Sequence, residues 1–153
     1  MPKYFAYGSN LYMPQVQERC PSMQALGKVY IQDYALSFPR LSKMWGGKGV
    51  ASIIPEPQNI AHGFLYHLSE DDLLVMDRIE GTDSGAYIRE RVTVHHTECP
   101  DLTRTECWTY FGVPQDGAPF FPSLKYINRI ISGAEMHDLP KDYIETLKKW
   151  KKD

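Results

Sequence analysis

No apolar run in the 153-residue chain approaches the ~20 residues that a membrane-spanning helix needs, so no transmembrane segment is expected. Charge of one sign is missing too. Seventeen Lys and Arg against nineteen Asp and Glu leave a net of −2, which gives no basic footprint for nucleic acid. The single cationic cluster, "KKWKK" from Lys148 to Lys152, reads as a solvated helix end with lysines at the negative pole of the dipole. Cysteine is scarce: Cys20, Cys99 and Cys107 form no C-x-x-C pair, which predicts free thiols and a cytoplasmic location. His62, His67, His95, His96 and His137 lack a metal-binding spacing such as H-x-x-x-H. Neither a phosphate-cradling G-x-x-x-x-G-K-[ST] nor a G-x-G-x-x-G occurs. No metal and no cofactor are therefore expected, and the chain opens on core-like sequence rather than on a signal peptide.

What the chain has is an ordinary globular balance, 42% hydrophobic and 24% charged, enough for one domain over residues 1–153 with a full core. Ten Tyr, six Phe and three Trp can furnish that core or a pocket. Tyr4–Tyr7 reads as a short buried strand, and Met13–Arg19 as a helix with Pro14 in its first turn. Strands are expected around Lys28–Phe38, Gly49–Ile54 and Ala61–Leu68, with "PEPQN" as a proline turn between the last two. Ser69 is a good N-cap for a helix that carries Glu70, Asp71 and Asp72 in its first turn and stops at Gly81. Strands Tyr87–His95 and Arg104–Phe111 follow. Two helices close the chain, one capped by Ser123 and one starting near Pro140. Strands first, one interrupting helix and helices last define an α+β fold, most simply a small barrel with helices packed around it.

Two places carry candidate chemistry. At ~100° per residue, Glu80 falls between Leu73 and Met76 at the margin of its helix's apolar face, with Asp77 and Arg78 directed away. Partial burial and the C-terminal pole of the helix both raise the pKa of a carboxyl there, which suits a general acid/base near neutral pH. The other reading is a boundary glutamate that swings into solvent or pairs with Arg89 or Arg91. Gly8-Ser9-Asn10, straight after the first strand, can aim backbone N–H groups at a carboxylate or oxyanion, and equally makes an ordinary Asx turn. "WGGKG", Trp45–Gly49, could wall a pocket or simply turn a hairpin. Tyr87, Tyr110 and Tyr126 are candidate phenol donors.

Together, "YFAYGSNL", "WGGKGVASIIP", "HGFLYHLSEDDLLVMDRIEG", "PSLKYINRIISGA" and "LPKDYIETL" resemble the γ-glutamylcyclotransferase-like family, in the right order over almost the whole chain. The resemblance implies a small mixed β-barrel with surrounding helices and a single pocket. It matches Glu80 to the family's catalytic glutamate, Tyr7, Gly8, Ser9 and Asn10 to its substrate loop, and Tyr87 and Tyr126 to pocket tyrosines. It implies a small-molecule γ-glutamyl substrate, release of 5-oxoproline, and neither nucleic-acid nor membrane partners. The assembly state is left as monomer or homodimer. Alternatives stay open: a release enzyme for a specialised γ-glutamylated intermediate, or a non-catalytic binding module on the same fold. "GAPFFP", Gly117–Pro122, is the expected wall of the leaving-group side. The sequence departs from many relatives at "HDLP", His137–Pro140, where Gly commonly precedes Leu-Pro, and this touches local geometry rather than chemistry.

Overall fold

The computed structural model describes residues 1–99 and 104–152. In chain order the elements are β1 (Lys3–Ala6), α1 (Met13–Arg19), β2 (Gln24–Ser42), β3 (Lys48–His67), α2 (Glu70–Glu80), β4 (Tyr87–His96), β5 (Arg104–Gly112), α3 (Leu124–Met136) and α4 (Lys141–Lys148). Short 3-10 turns at Ser9–Leu11 and Lys43–Trp45 precede α1 and β3. The strands close a barrel in the order β1-β3-β2-β4-β5. Among the described residues only the β1–β5 seam, Tyr4 beside Trp108, is parallel, so the barrel is mixed as expected. No helix among the described residues is long and apolar enough to cross a membrane.

The long antiparallel β2–β3 ribbon departs from the expected three strands. Its register jumps from Gln32 opposite Ile60 to Tyr34 opposite Pro55, so Asp33 alone faces residues 56–59. "PEPQN" is therefore an outward excursion within one strand, not a turn between two. Pro55 and Pro57 have no N–H to give the ladder, and Asp33 compensates by accepting from the Gln58 N–H at 2.9 Å. A second irregularity lies between Ser37 and Arg40, where Phe38 and Pro39 face the single residue Ala51. Proline is tolerated in a strand at such a bulge.

The helices form where capping and periodicity place them. Ser69 accepts from the Asp72 N–H at 3.0 Å and Ser123 from the Tyr126 N–H at 3.2 Å, each satisfying an otherwise orphaned donor. Gly81 ends α2 in the left-handed region (φ 76°), and its N–H bonds back to Asp77 and Arg78. Asp138 also takes a left-handed φ of 55°, a conformation glycine adopts most easily, so the "HDLP" departure falls on local backbone geometry. Helix α3 presents Tyr126, Ile127, Ile130, Ile131 and Ala134 to the core. Its Gly133 lies so close to the 3-10 turn that an added Cβ would come within 2.4 Å of the Leu11 carbonyl carbon. Helix α3 thus buttresses, backbone to backbone, the turn that carries Ser9 and Asn10.

Candidate active site

A cavity of about 580 Å³ opens at one end of the barrel and is lined by residues from the first turn, the β2–β3 ribbon, the end of α2 and Tyr126 of α3. Glu80 is the one carboxylate among its lining residues. As the last residue of α2 it projects from the negative pole of the helix dipole, just before Gly81 turns the chain towards β4. Its side chain keeps some access through the mouth, yet protein surrounds it on most sides. Burial pushes its pKa up to about 7, opposed in part by the positive charge of Arg19. Among the described residues no hydrogen bond or ion pair reaches the Glu80 carboxyl. Arg89 pairs with Asp77 at 2.9 Å and Arg91 with Glu106 at 3.2 Å, so the arginines that could have neutralised Glu80 serve other acids.

Asp77, expected to be directed away from the apolar face, is largely buried on the flank of α2, where Tyr110 donates to it at 2.7 Å and Arg89 closes the pair while stacking 4.3 Å over Trp108. The packing of β4 and β5 against that flank covers it.

Five tyrosines surround Glu80, and its charge opposes ionisation of Tyr4, Tyr7, Tyr87, Tyr110 and Tyr126, on top of the larger effect of burial. All five remain neutral phenols, available only as hydrogen-bonding groups. Tyr7 donates to the Tyr110 carbonyl and Tyr110 to Asp77. Tyr87 donates to the Ala51 carbonyl at 2.7 Å, while Tyr126 accepts from the Ala51 N–H at 3.0 Å. The bulge opposite Ala51 frees these two backbone groups from the ladder, and the tyrosines take them up. The expected pocket tyrosines, Tyr87 and Tyr126, are therefore brought together on one residue of β3.

The Gly8-Ser9-Asn10 segment lines the cavity as expected, but its side chains divide the work differently. Asn10 is buried and fully engaged: it donates to the Tyr4 hydroxyl at 2.9 Å and accepts from Gln15 at 2.8 Å and Arg19 at 3.2 Å. Its amide shapes the turn and is not a free donor towards the cavity. Gln15 also donates to Ser9 Oγ at 2.9 Å and accepts from Arg129 at 2.9 Å, tying α1, α3 and the turn together. Ser9 keeps its own proton and lies beside Tyr126. The backbone N–H groups of Gly8, Ser9 and Asn10 have no acceptor among the described residues. At Gly8 a Cβ would sit 3.3 Å from that of Ala51, so close approach rather than an unusual φ favours glycine.

"GAPFFP" is a second correction: none of its residues lines the cavity. It clasps the outside of the β2–β3 ribbon instead, with the Phe120 N–H donating to Phe38 and the Phe121 carbonyl accepting from Gly49. Residues Arg40–Trp45 line the cavity instead, so "WGGKG" both turns the hairpin and contributes Trp45, whose ring lies 4.7 Å from that of Tyr126. Sequence reasoning missed Tyr4, Arg19 and Arg40 in the lining. The one available signal was Pro39 inside a strand, which marks a bulge that re-aims the residue after it. Among the described residues no three His, Cys, Asp or Glu side chains converge as a metal site requires.

This arrangement defines a class: a closed mixed barrel holding one unpaired carboxyl beside a turn of free N–H groups. Residues 61–147 match the AIG2-like family. The γ-glutamylcyclotransferase of Homo sapiens is 34% identical over 149 residues, covering 95% of this chain and 76% of the human protein, and that of Mus musculus is 32% identical over the same span. A solved structure of a γ-glutamyl cyclotransferase superposes with a TM-score of 0.90 at 29% identity, over 99% of this chain and 88% of the other. The chain belongs to the AIG2-like family of γ-glutamylcyclotransferases.

Proposed function

We propose that the protein releases 5-oxoproline and a free amine or amino acid from a γ-glutamyl compound, with Glu80 as general acid/base. One observation carries the reading: the unpaired Glu80 carboxyl, with a pKa raised to about 7, lines the cavity beside the Gly8–Asn10 turn. A γ-glutamyl donor brings its own nucleophile. Folding its chain in the cavity sets the α-amine against the γ-carbonyl, which makes ring closure effectively unimolecular.

In this mechanism Glu80 takes a proton from the substrate's α-ammonium. The freed amine attacks the γ-carbonyl carbon, a C–N bond forms, and the carbonyl oxygen gains negative charge. Backbone N–H groups of Gly8, Ser9 and Asn10 hold the γ-glutamyl group and stabilise that oxyanion. The γ-amide bond then breaks as Glu80 returns its proton to the departing nitrogen, and the ring nitrogen gives its second proton to the regenerated carboxylate, which passes it to the released amine or to water, so one carboxyl group serves each transfer. Tyr7, Tyr87 and Tyr126 shape the cavity, and Arg19 supplies positive charge at the same end. Thiols that are free at Cys20, Cys99 and Cys107 fit a cytoplasmic setting.

Incubation with a panel of γ-glutamyl amino acids and amines, with 5-oxoproline read by mass spectrometry, tests this directly. Wild type yields product, and Glu80→Gln loses at least about a thousandfold of the rate while folding normally. A folded Glu80→Gln variant with near wild-type turnover removes the proposed role.

A further inference from the structure

The cavity holds more positive charge than the proton transfer requires. Arg19, Arg40 and Lys43 line it, against Glu80 as the one acid among its lining residues. The two arginines stand apart electrostatically. Arg19 bonds to Asn10 in the turn and acts on Glu80, whereas Arg40 acts on Tyr87 and is not among the charges that perturb Glu80.

Arg40 is also a built feature of the wall. The Phe38–Pro39 bulge opposite Ala51 resets the register of β2 immediately before it. Its side chain is half-buried, and Nη1 donates to the Val113 carbonyl at 2.8 Å, which anchors one edge of the guanidinium. No carboxylate pairs with Arg40 or Lys43 among the described residues. A pinned guanidinium with uncommitted N–H groups on a cavity wall is suited to bind a carboxylate in two-point fashion.

We propose that Arg40 is the specificity-determining residue for the leaving group and selects one that bears a carboxylate beside the scissile nitrogen, with exposed Lys43 adding positive charge at the mouth. This rests on the cyclotransfer reading above. The substrate's α-carboxylate is one bond from the carbon that carries the attacking amine, so it must lie near Glu80 and the turn, at the Arg19 end. The leaving group has to extend away from that end, along the Arg40–Trp45 wall. An amine without a carboxylate would leave Arg40 without an anionic partner.

The test compares γ-glutamyl-alanine with γ-glutamyl-alaninamide, which differ in the leaving-group carboxylate and little else. Wild type favours the acid by about tenfold or more in kcat/KM, mostly through KM. Arg40→Gln brings that ratio to within about twofold, and Arg40→Lys restores part of it. A wild-type ratio near one, or a ratio unchanged in Arg40→Gln, overturns the proposal. Calorimetric binding of both compounds to Glu80→Gln protein reads the same preference without turnover. Absence of 5-oxoproline from wild type would thus defeat the cyclotransfer reading, while equal binding of acid and amide would defeat the role of Arg40.

Discussion

At the floor of the cavity the polar side chains around Asn10 are committed to one another, whereas the rim from Leu41 to Met44 is largely exposed. Gln15, Asn10, Arg19, Arg129 and Tyr4 form one connected network beneath the turn, and α3 lies on that turn through Gly133. The rim is held by backbone turns at Gly46 and Gly47 and by a bond from the Leu41 N–H to Gln115. Under the proposed mechanism the difference separates two tasks. Ring closure needs the γ-glutamyl half fixed to a fraction of an ångström, and satisfied buried networks provide that rigidity. The leaving-group half needs only to be admitted, oriented and released.

The comparison can be broken by substitution at either end. Gln15→Ala removes two donors and an acceptor from buried Asn10 and half-buried Ser9 and Arg129 and should cost about 2 kcal/mol of stability, with 5-oxoproline release falling about tenfold. Glu80→Gln acts in the opposite direction on stability. Because the folded-state pKa is raised to about 7, the folded protein binds more protons than the unfolded chain between the two pKa values. Wild-type stability therefore declines as pH rises through about 7, and the charged carboxyl costs about 1–2 kcal/mol above that pH once its residual solvent access is counted. Chemical denaturation at pH 5 and pH 8 should show the variant gaining on wild type at the higher pH only. The smallest effect is expected at the rim, where Met44→Ala should shift stability by less than about 0.5 kcal/mol. Equal losses for Gln15→Ala and Met44→Ala would erase the distinction between floor and rim.

Legibility from sequence follows the same division between local and long-range determinants. Helix α2, its Ser69 cap and its Gly81 stop are local signals and appear where the residues place them. The half-buried place of Glu80 at the end of α2 was legible because helical periodicity and the dipole converge on one residue. The surroundings of Asp77 were not, since they depend on how β4 and β5 close the barrel over the flank of α2. Arg40 and "GAPFFP" were misread or missed for one shared reason. The bulge at Phe38–Pro39 changes the register by a residue, turns Arg40 to the cavity wall and frees the Phe38 carbonyl that recruits Phe120. Asn10 shows a further limit: its residue type announces hydrogen bonding, but only the fold decides that its partners are Tyr4, Gln15 and Arg19 rather than a ligand.

The most direct test of the central claim is the pH dependence of kcat/KM for 5-oxoproline release by the wild-type protein. Glu80 must be ionised to accept the α-ammonium proton, so the rate should rise with pH to a plateau with a midpoint of about 7. A rate that stays flat down to about pH 5 would mean that the working base is an ordinary carboxylate or none at all, and would contradict the account.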